Sequence, residues 1–220
     1  MRLPASSSPH NEPLASGAGG RSPAPGRIHR RRRLGGPEGN EILTSAIGVV
    51  LTGLLVAEGV TVVHTAGLVT AHMFIGMVLI PPVLLKLGST GYRFVRYYTG
   101  SHAYRAKGPP QLPLRVMAPA LVVTTLAMFT TGVLLLAAGH TAGPLLEIHK
   151  VSFIVWLAVF VIHFLAYLPQ VVHSLRTDWG SARRLAVPGA SLRALLVSAS
   201  VGGGLALALA LISSMNGWRA

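Results

Sequence analysis

Few residues in the apolar stretches of this 220-residue chain can do chemistry. They are Glu58, His72, Lys86, His149 and His163, with Glu147, His64 and His140 at the edges of such stretches. His10, His29, His102 and His173 lie in polar segments, where a solvated imidazole needs no further role. His149 and His163 are fourteen residues apart. On an α-helix that spacing brings both to one face, about 40° apart around the axis and about 21 Å apart along it. His72 and Lys86 have the same spacing. In two helices running the same way, His72 matches His149 in depth and Lys86 matches His163. The four residues then form two rungs.

Two imidazoles facing each other across a bundle meet the need of six-coordinate haem iron for a nitrogen on each face of the macrocycle. Gly76, one turn from His72 on the same face, would let a porphyrin edge approach the backbone. The chain has no cysteine, which excludes iron–sulfur clusters and covalent haem attachment. A haem here would be a haem b held by side chains alone. The same residues fit other readings. Glu58, His72 and His149 share a depth, and two imidazoles with a carboxylate can bind a divalent metal or hold a proton. Each histidine could instead hydrogen-bond a neighbouring helix in a purely structural bundle. Lys86 could ligate iron, pair with a haem propionate, or snorkel to the interface; snorkelling is preferred, because it sits close to the end of its apolar run. Pro81 and Pro82 remove two amide donors just before it and predict a kink. Trp156 and Phe160, on the stripe between His149 and His163, are explained by packing.

The elements that position these residues are transmembrane helices. The chain is 51% hydrophobic and 11% charged, against about 25% charged in soluble domains. Five apolar runs cover about 42–63, 67–87, 116–138, 145–168 and 190–214. Each is close to the ~20 residues that a helix needs to cross ~30 Å of hydrocarbon. The runs are too long and too uniformly apolar for barrel strands. The expected fold is all-α, a five-helix integral membrane bundle with a four-helix haem-binding core and one packing helix. The fifth run carries Gly202, Gly203 and Gly204, small residues that let membrane helices approach closely.

Net charge is +13, yet the cations cluster in segments between apolar runs, which argues against nucleic acid as a partner. Residues 1–40 read as a disordered basic tail and 41–215 as the transmembrane domain. Arg30–Arg33 could bind anionic headgroups, but an orientation signal suffices. Lys and Arg recur on one side: seven in the tail, Arg93, Arg96, Arg105, Lys107 and Arg115 in the connection after the second run, and Arg176, Arg183, Arg184 and Arg193 after the fourth run. The opposite side holds only Lys150 and Arg219. The asymmetry predicts a cytoplasmic N-terminus and an external C-terminus. The 88–115 segment interleaves Tyr92, Phe94, Tyr97, Tyr98 and Tyr104 with cations, which suits the lipid interface.

The helix IHKVSFIVWLAVFVIHFLAYL, residues 148–168, and His72 on the second run resemble the haem-b membrane cytochromes. That superfamily includes the quinone-linked subunits of bacterial formate dehydrogenases and hydrogenases. The resemblance covers about residues 42–170. It implies a bacterial inner-membrane protein that relays electrons to or from quinone or a redox partner subunit. It also implies haem ligation by His72 and His149 on the outer side. The first helix of that superfamily supplies a histidine for a second, inner haem; residues 41–50 have none, so His163 lacks an imidazole partner. One haem is therefore expected, with His163 hydrogen-bonded in the bundle or lining a quinone or propionate pocket with Lys86. No dinucleotide fingerprint or soluble catalytic domain is visible, and the residues do not decide whether the chain is an enzyme. The chain also resembles small membrane proteins of GC-rich bacteria, which implies no function.

Overall fold

The computed structural model describes residues 35–106, 112–139, 143–178 and 187–219. The basic tail through Arg33, Lys107, His140, Arg183 and Arg184 lie outside the described residues. The elements are α1 (Gly36–Val63), α2 (Thr65–Tyr98), α3 (His102–Arg105), α4 (Leu112–Ala138), α5 (Gly143–Asp178), α6 (Ala190–Ala210) and α7 (Ile212–Asn216), followed by a 3₁₀ turn at Gly217–Arg219. There is no strand among the described residues. Five of these helices are long and apolar enough to cross a membrane, as expected from the hydropathy. In lipid a backbone must satisfy its own amides, and a helix does so within one segment.

α1 begins at Gly36, with Pro37 in its first turn, so the end of the expected tail is helical. Pro tolerates that position because the first-turn amides have no intrahelical partner. α1 and α2 are joined at His64, whose backbone amide and Nδ1 both donate to the Val60 carbonyl. α2 runs on to Tyr98, through much of what the sequence suggested was a loop. Hydropathy reports which residues prefer lipid, whereas helix formation continues wherever the backbone can keep its ladder. The irregularity in α2 also differs from expectation. It falls at Leu68 (φ −120°, ψ 21°), while Pro81 and Pro82 lie inside continuous helix.

The physical reason lies in α6. Pro82 has no N–H, so the Val78 carbonyl loses its usual donor four residues on. Gly204 of α6 sits directly against that carbonyl; a Cβ at Gly204 would collide with Val78 O. Pro82 is fully buried beneath this contact. Ser200, Gly204 and Ala208 are all buried at four-residue spacing, forming a small-residue seam that brings α6 onto α2. α2 is thus clasped on two sides, by α1 and by α6. Ile47, Leu51 and Leu79 form one core between α1 and α2. Met77, Val78, Ala208 and Met215 form the other, with Leu136 of α4.

α4 and α5 pair as a hairpin that joins the rest through α4, and among the described residues α5 packs closely only on α4. Trp156 on α5 is buried there, its Nε1 donating to Thr125 Oγ1 at 2.9 Å. It stacks on Phe160 with ring centres 4.8 Å apart, so both aromatics serve packing as expected. The outer faces of the hairpin are apolar and exposed, with Val123, Val151 and Ile154 open to lipid.

Candidate functional site

The turn at His64 places the end of α1 against the start of α2, bringing Glu58 beside His72. His72 Nδ1 is 2.9 Å from Glu58 Oε1, and both side chains are largely buried. Thr61, one turn after Glu58, bonds the Glu58 carbonyl at 2.7 Å and lies 3.0 Å from Oε2. Across the bundle, His149 Nδ1 lies 3.0 Å from Thr131 Oγ1 of α4. The two imidazoles stand with ring centres 6.5 Å apart and planes at 62°. The first rung expected from the fourteen-residue spacing is therefore present.

The hydrogen bonds constrain the ring nitrogens. Where Glu58 is ionised it only accepts, and His72 Nδ1–H then donates to it. The Thr131 hydroxyl is directed at the Ala127 and Met128 carbonyls, at 2.9 and 3.0 Å. Its oxygen is left to accept from His149 Nδ1–H. In neutral imidazoles both assignments leave the lone pair on Nε2. Neither Nε2 has a hydrogen-bond partner among the described residues. A carboxylate or hydroxyl on the remote nitrogen is what fixes ring and tautomer in a metal-ligating histidine.

Comparison with known protein families, curated proteins and solved structures found no match.

The site rests on residues that spacing alone does not single out. Gly132 is one: a Cβ there would lie 3.2 Å from His149 Cε1, so its bare backbone makes room for the ring. Thr61 and Thr131 are the others. Their signal was only indirect, a hydroxyl on a helix adjacent to the one carrying each histidine. Gly76 has a different setting from the one expected. A Cβ at Gly76 would meet Glu58 Oε1 at 3.6 Å, so the carboxylate lies over it. Among the described residues no three His, Cys, Asp or Glu side chains converge as a metal site needs. Glu58 and His72 bond each other, and His149 stands one ring away.

The second rung is built differently. Lys86 does not snorkel outward: its Nζ turns back across the helix pair and donates to the Thr44 carbonyl of α1 at 2.7 Å. Gly48, one turn on, leaves space for it, since a Cβ there would lie 3.1 Å from Nζ. Asn40 Nδ2 donates to the Ser89 carbonyl at 3.1 Å, and the Thr44 and Ser89 hydroxyls are 3.0 Å apart. His163 packs at a tilt on Tyr167 with ring centres 4.8 Å apart. Its Nδ1 is buried without a hydrogen-bond partner, so the expected bond within the bundle is not made there.

Proposed function

We propose that this chain is a membrane-embedded b-type cytochrome, holding one haem b between His72 and His149 and exchanging electrons with quinone or a partner protein. The observation that carries the reading is the pair of imidazoles 6.5 Å apart, on helices that do not pack closely on each other. His72 and His149 would hold the iron, one imidazole from each of two facing helices. The residues present fit such a group: both Nδ1 atoms are occupied, by Glu58 and Thr131, and both Nε2 atoms are left for a ligand bond. A haem b supplies one-electron chemistry. Glu58 holds His72 in one tautomer and raises its basicity as a ligand. Thr131 does the same for His149 more weakly, because its hydroxyl oxygen is neutral. Gly132 keeps the ring seated against α4. The Lys and Arg asymmetry supports a cytoplasmic N-terminus, which would put this site toward the outer face of a bacterial inner membrane.

The test is optical. Protein reconstituted with haem should show a Soret band that shifts on dithionite reduction. His72→Ala and His149→Ala should each abolish it, and Phe160→Ala should not. Pyridine haemochrome should give about one haem per chain, unchanged in His163→Ala. Protein that binds no haem at full reconstitution refutes the cytochrome. A second reading would then take over, in which the Glu58–His72 pair at 2.9 Å holds a proton inside the membrane.

A further inference from the structure

The chain reverses direction at the end of α2 through a built turn. The Ser101 amide donates to the Arg96 carbonyl at 3.1 Å, and the Gly100 amide donates to the Tyr97 carbonyl at 3.4 Å. With Gly100 left-handed at φ 85°, these are the two bonds of a Schellman motif. α3 follows at once and lays Tyr104 back on Tyr92, with ring centres 6.1 Å apart and planes at 83°. The reversal fixes two guanidinium groups on one turn. Arg96 Nη2 donates to Ser101 Oγ at 3.3 Å, and Arg105 Nε donates to the Tyr97 carbonyl at 3.3 Å. The Arg105 guanidinium also lies against Gly100, where a Cβ would meet its Nη2 at 3.7 Å. Arg93 is exposed and stands three residues before Arg96, so the two are neighbours on the helix surface.

No Asp or Glu occurs between Glu58 and Glu147, and Arg93, Arg96 and Arg105 form no ion pair among the described residues. A guanidinium has five N–H donors, and the turn uses one from Arg96 and one from Arg105. Arg96 Nε is buried without a hydrogen-bond partner. Three like charges on one turn repel each other unless an anion stands beside them. Depth decides which anion. A helix crosses the hydrocarbon core in about 20 residues, so α2, beginning at Thr65, leaves it near Leu85. Its last turns and the reversal then stand in the headgroup layer. Phe94, Val95 and Tyr98 are exposed beside the cations, and Phe94 packs on Tyr98 with ring centres 4.5 Å apart. Exposed rings next to arginines suit the interface, where the rings meet glycerol and acyl carbons. The anion at that depth is the lipid phosphodiester, and a planar guanidinium matches two of its oxygens.

We propose that Arg93, Arg96 and Arg105, gathered by the turn between α2 and α3, hold the phosphodiester of an anionic phospholipid in the leaflet that the end of α2 crosses, with Phe94 and Tyr98 flanking it in the interface. The free guanidinium N–H groups donate to the phosphate oxygens. The site is independent of any cofactor at His72 and His149.

The full chain, delipidated in an uncharged detergent, is titrated separately with short-chain phosphatidylglycerol, short-chain phosphatidylcholine and inorganic phosphate. Native mass spectrometry and the thermal midpoint are the readouts. Phosphatidylglycerol should remain as an adduct and raise the midpoint, well ahead of phosphatidylcholine. Arg96→Gln and Arg105→Gln should each weaken its binding about five-fold, and the double variant about twenty-five-fold. Arg93→Gln should also weaken it about five-fold; this side chain makes no hydrogen bond among the described residues, so its loss leaves the turn folded. Gly100→Ala keeps every charge but strains a left-handed position, so it should weaken binding as well. Lys150→Gln, near the start of α5, should bind as wild type does. Wild-type affinity in the double variant, which would put the lipid elsewhere on the chain, overturns the proposal. Wild-type affinity in Gly100→Ala overturns it too, because general basic charge would then suffice without the turn. Equal binding of the two lipids, or a full response to inorganic phosphate alone, also overturns it.

Discussion

Three consecutive glycines on α6 have different environments, and that difference can be measured. A Cβ at Gly204 would strike the Val78 carbonyl, while nothing lies within 4 Å of a Cβ at Gly202 or Gly203. Gly204→Ala therefore forces α6 away from α2 along the Ser200–Gly204–Ala208 seam. Overpacking of this kind costs about 1–3 kcal/mol. Alanine also favours helix over glycine by up to about 1 kcal/mol, but Gly203→Ala gains the same amount. The difference between the two variants isolates the collision, at about 1–3 kcal/mol in favour of Gly203→Ala. For a chain of this size about 2–4 °C accompanies each kcal/mol, so the midpoints should differ by about 2–12 °C. Thermal unfolding in one detergent, with both variants side by side, gives the number. A Gly204→Ala midpoint equal to or above that of Gly203→Ala would refute the close approach at Val78. The Pro82→Ala background offers a second check. The amide that this substitution restores can donate to the Val78 carbonyl and draw it back into α2, so the cost of Gly204→Ala should shrink there.

Other consequences can be checked separately. Thr131→Val removes the acceptor for His149 Nδ1–H without changing side-chain shape; haem affinity should fall about 10–100-fold by titration, with Thr130→Val unchanged. A reporter fused after Arg105 should read cytoplasmic and one at Thr141 external; an external signal at Arg105 would overturn the orientation. Tyr104 is buried against α2, and burial, then Tyr92, raises its phenol above the ordinary 10.0. The raised value means that the neutral phenol is favoured in the fold. Its stabilising effect is complete below the ordinary value and is lost as pH rises through the folded one. Tyrosinate absorbance should show a last-titrating phenol that Tyr104→Phe removes.

The sequence by itself determined the solvent and the class of fold. Long apolar runs with few charges can satisfy their amides in lipid only as helices, and five of them were countable from hydropathy alone. The position of each histidine along its apolar run also gave His72 and His149 a common depth, because the rise per residue of a helix is a local property that survives packing. Helix ends were less legible: α2 and α5 outrun their apolar stretches, since the ladder does not stop where hydropathy does.

What only the tertiary structure decided were relations between helices. Which of three adjacent glycines meets a backbone depends on the rotation of α6 against α2, and on a carbonyl that Pro82 leaves open on a different helix. The partners of the two imidazoles, Glu58 and Thr131, come from α1 and α4, and no period within α2 or α5 points to them. Lys86 was read as snorkelling because a long amine near the end of an apolar run can reach the interface. The gap opposite Gly48 and the Thr44 carbonyl turned it inward, a choice set by the neighbouring helix and not by its own.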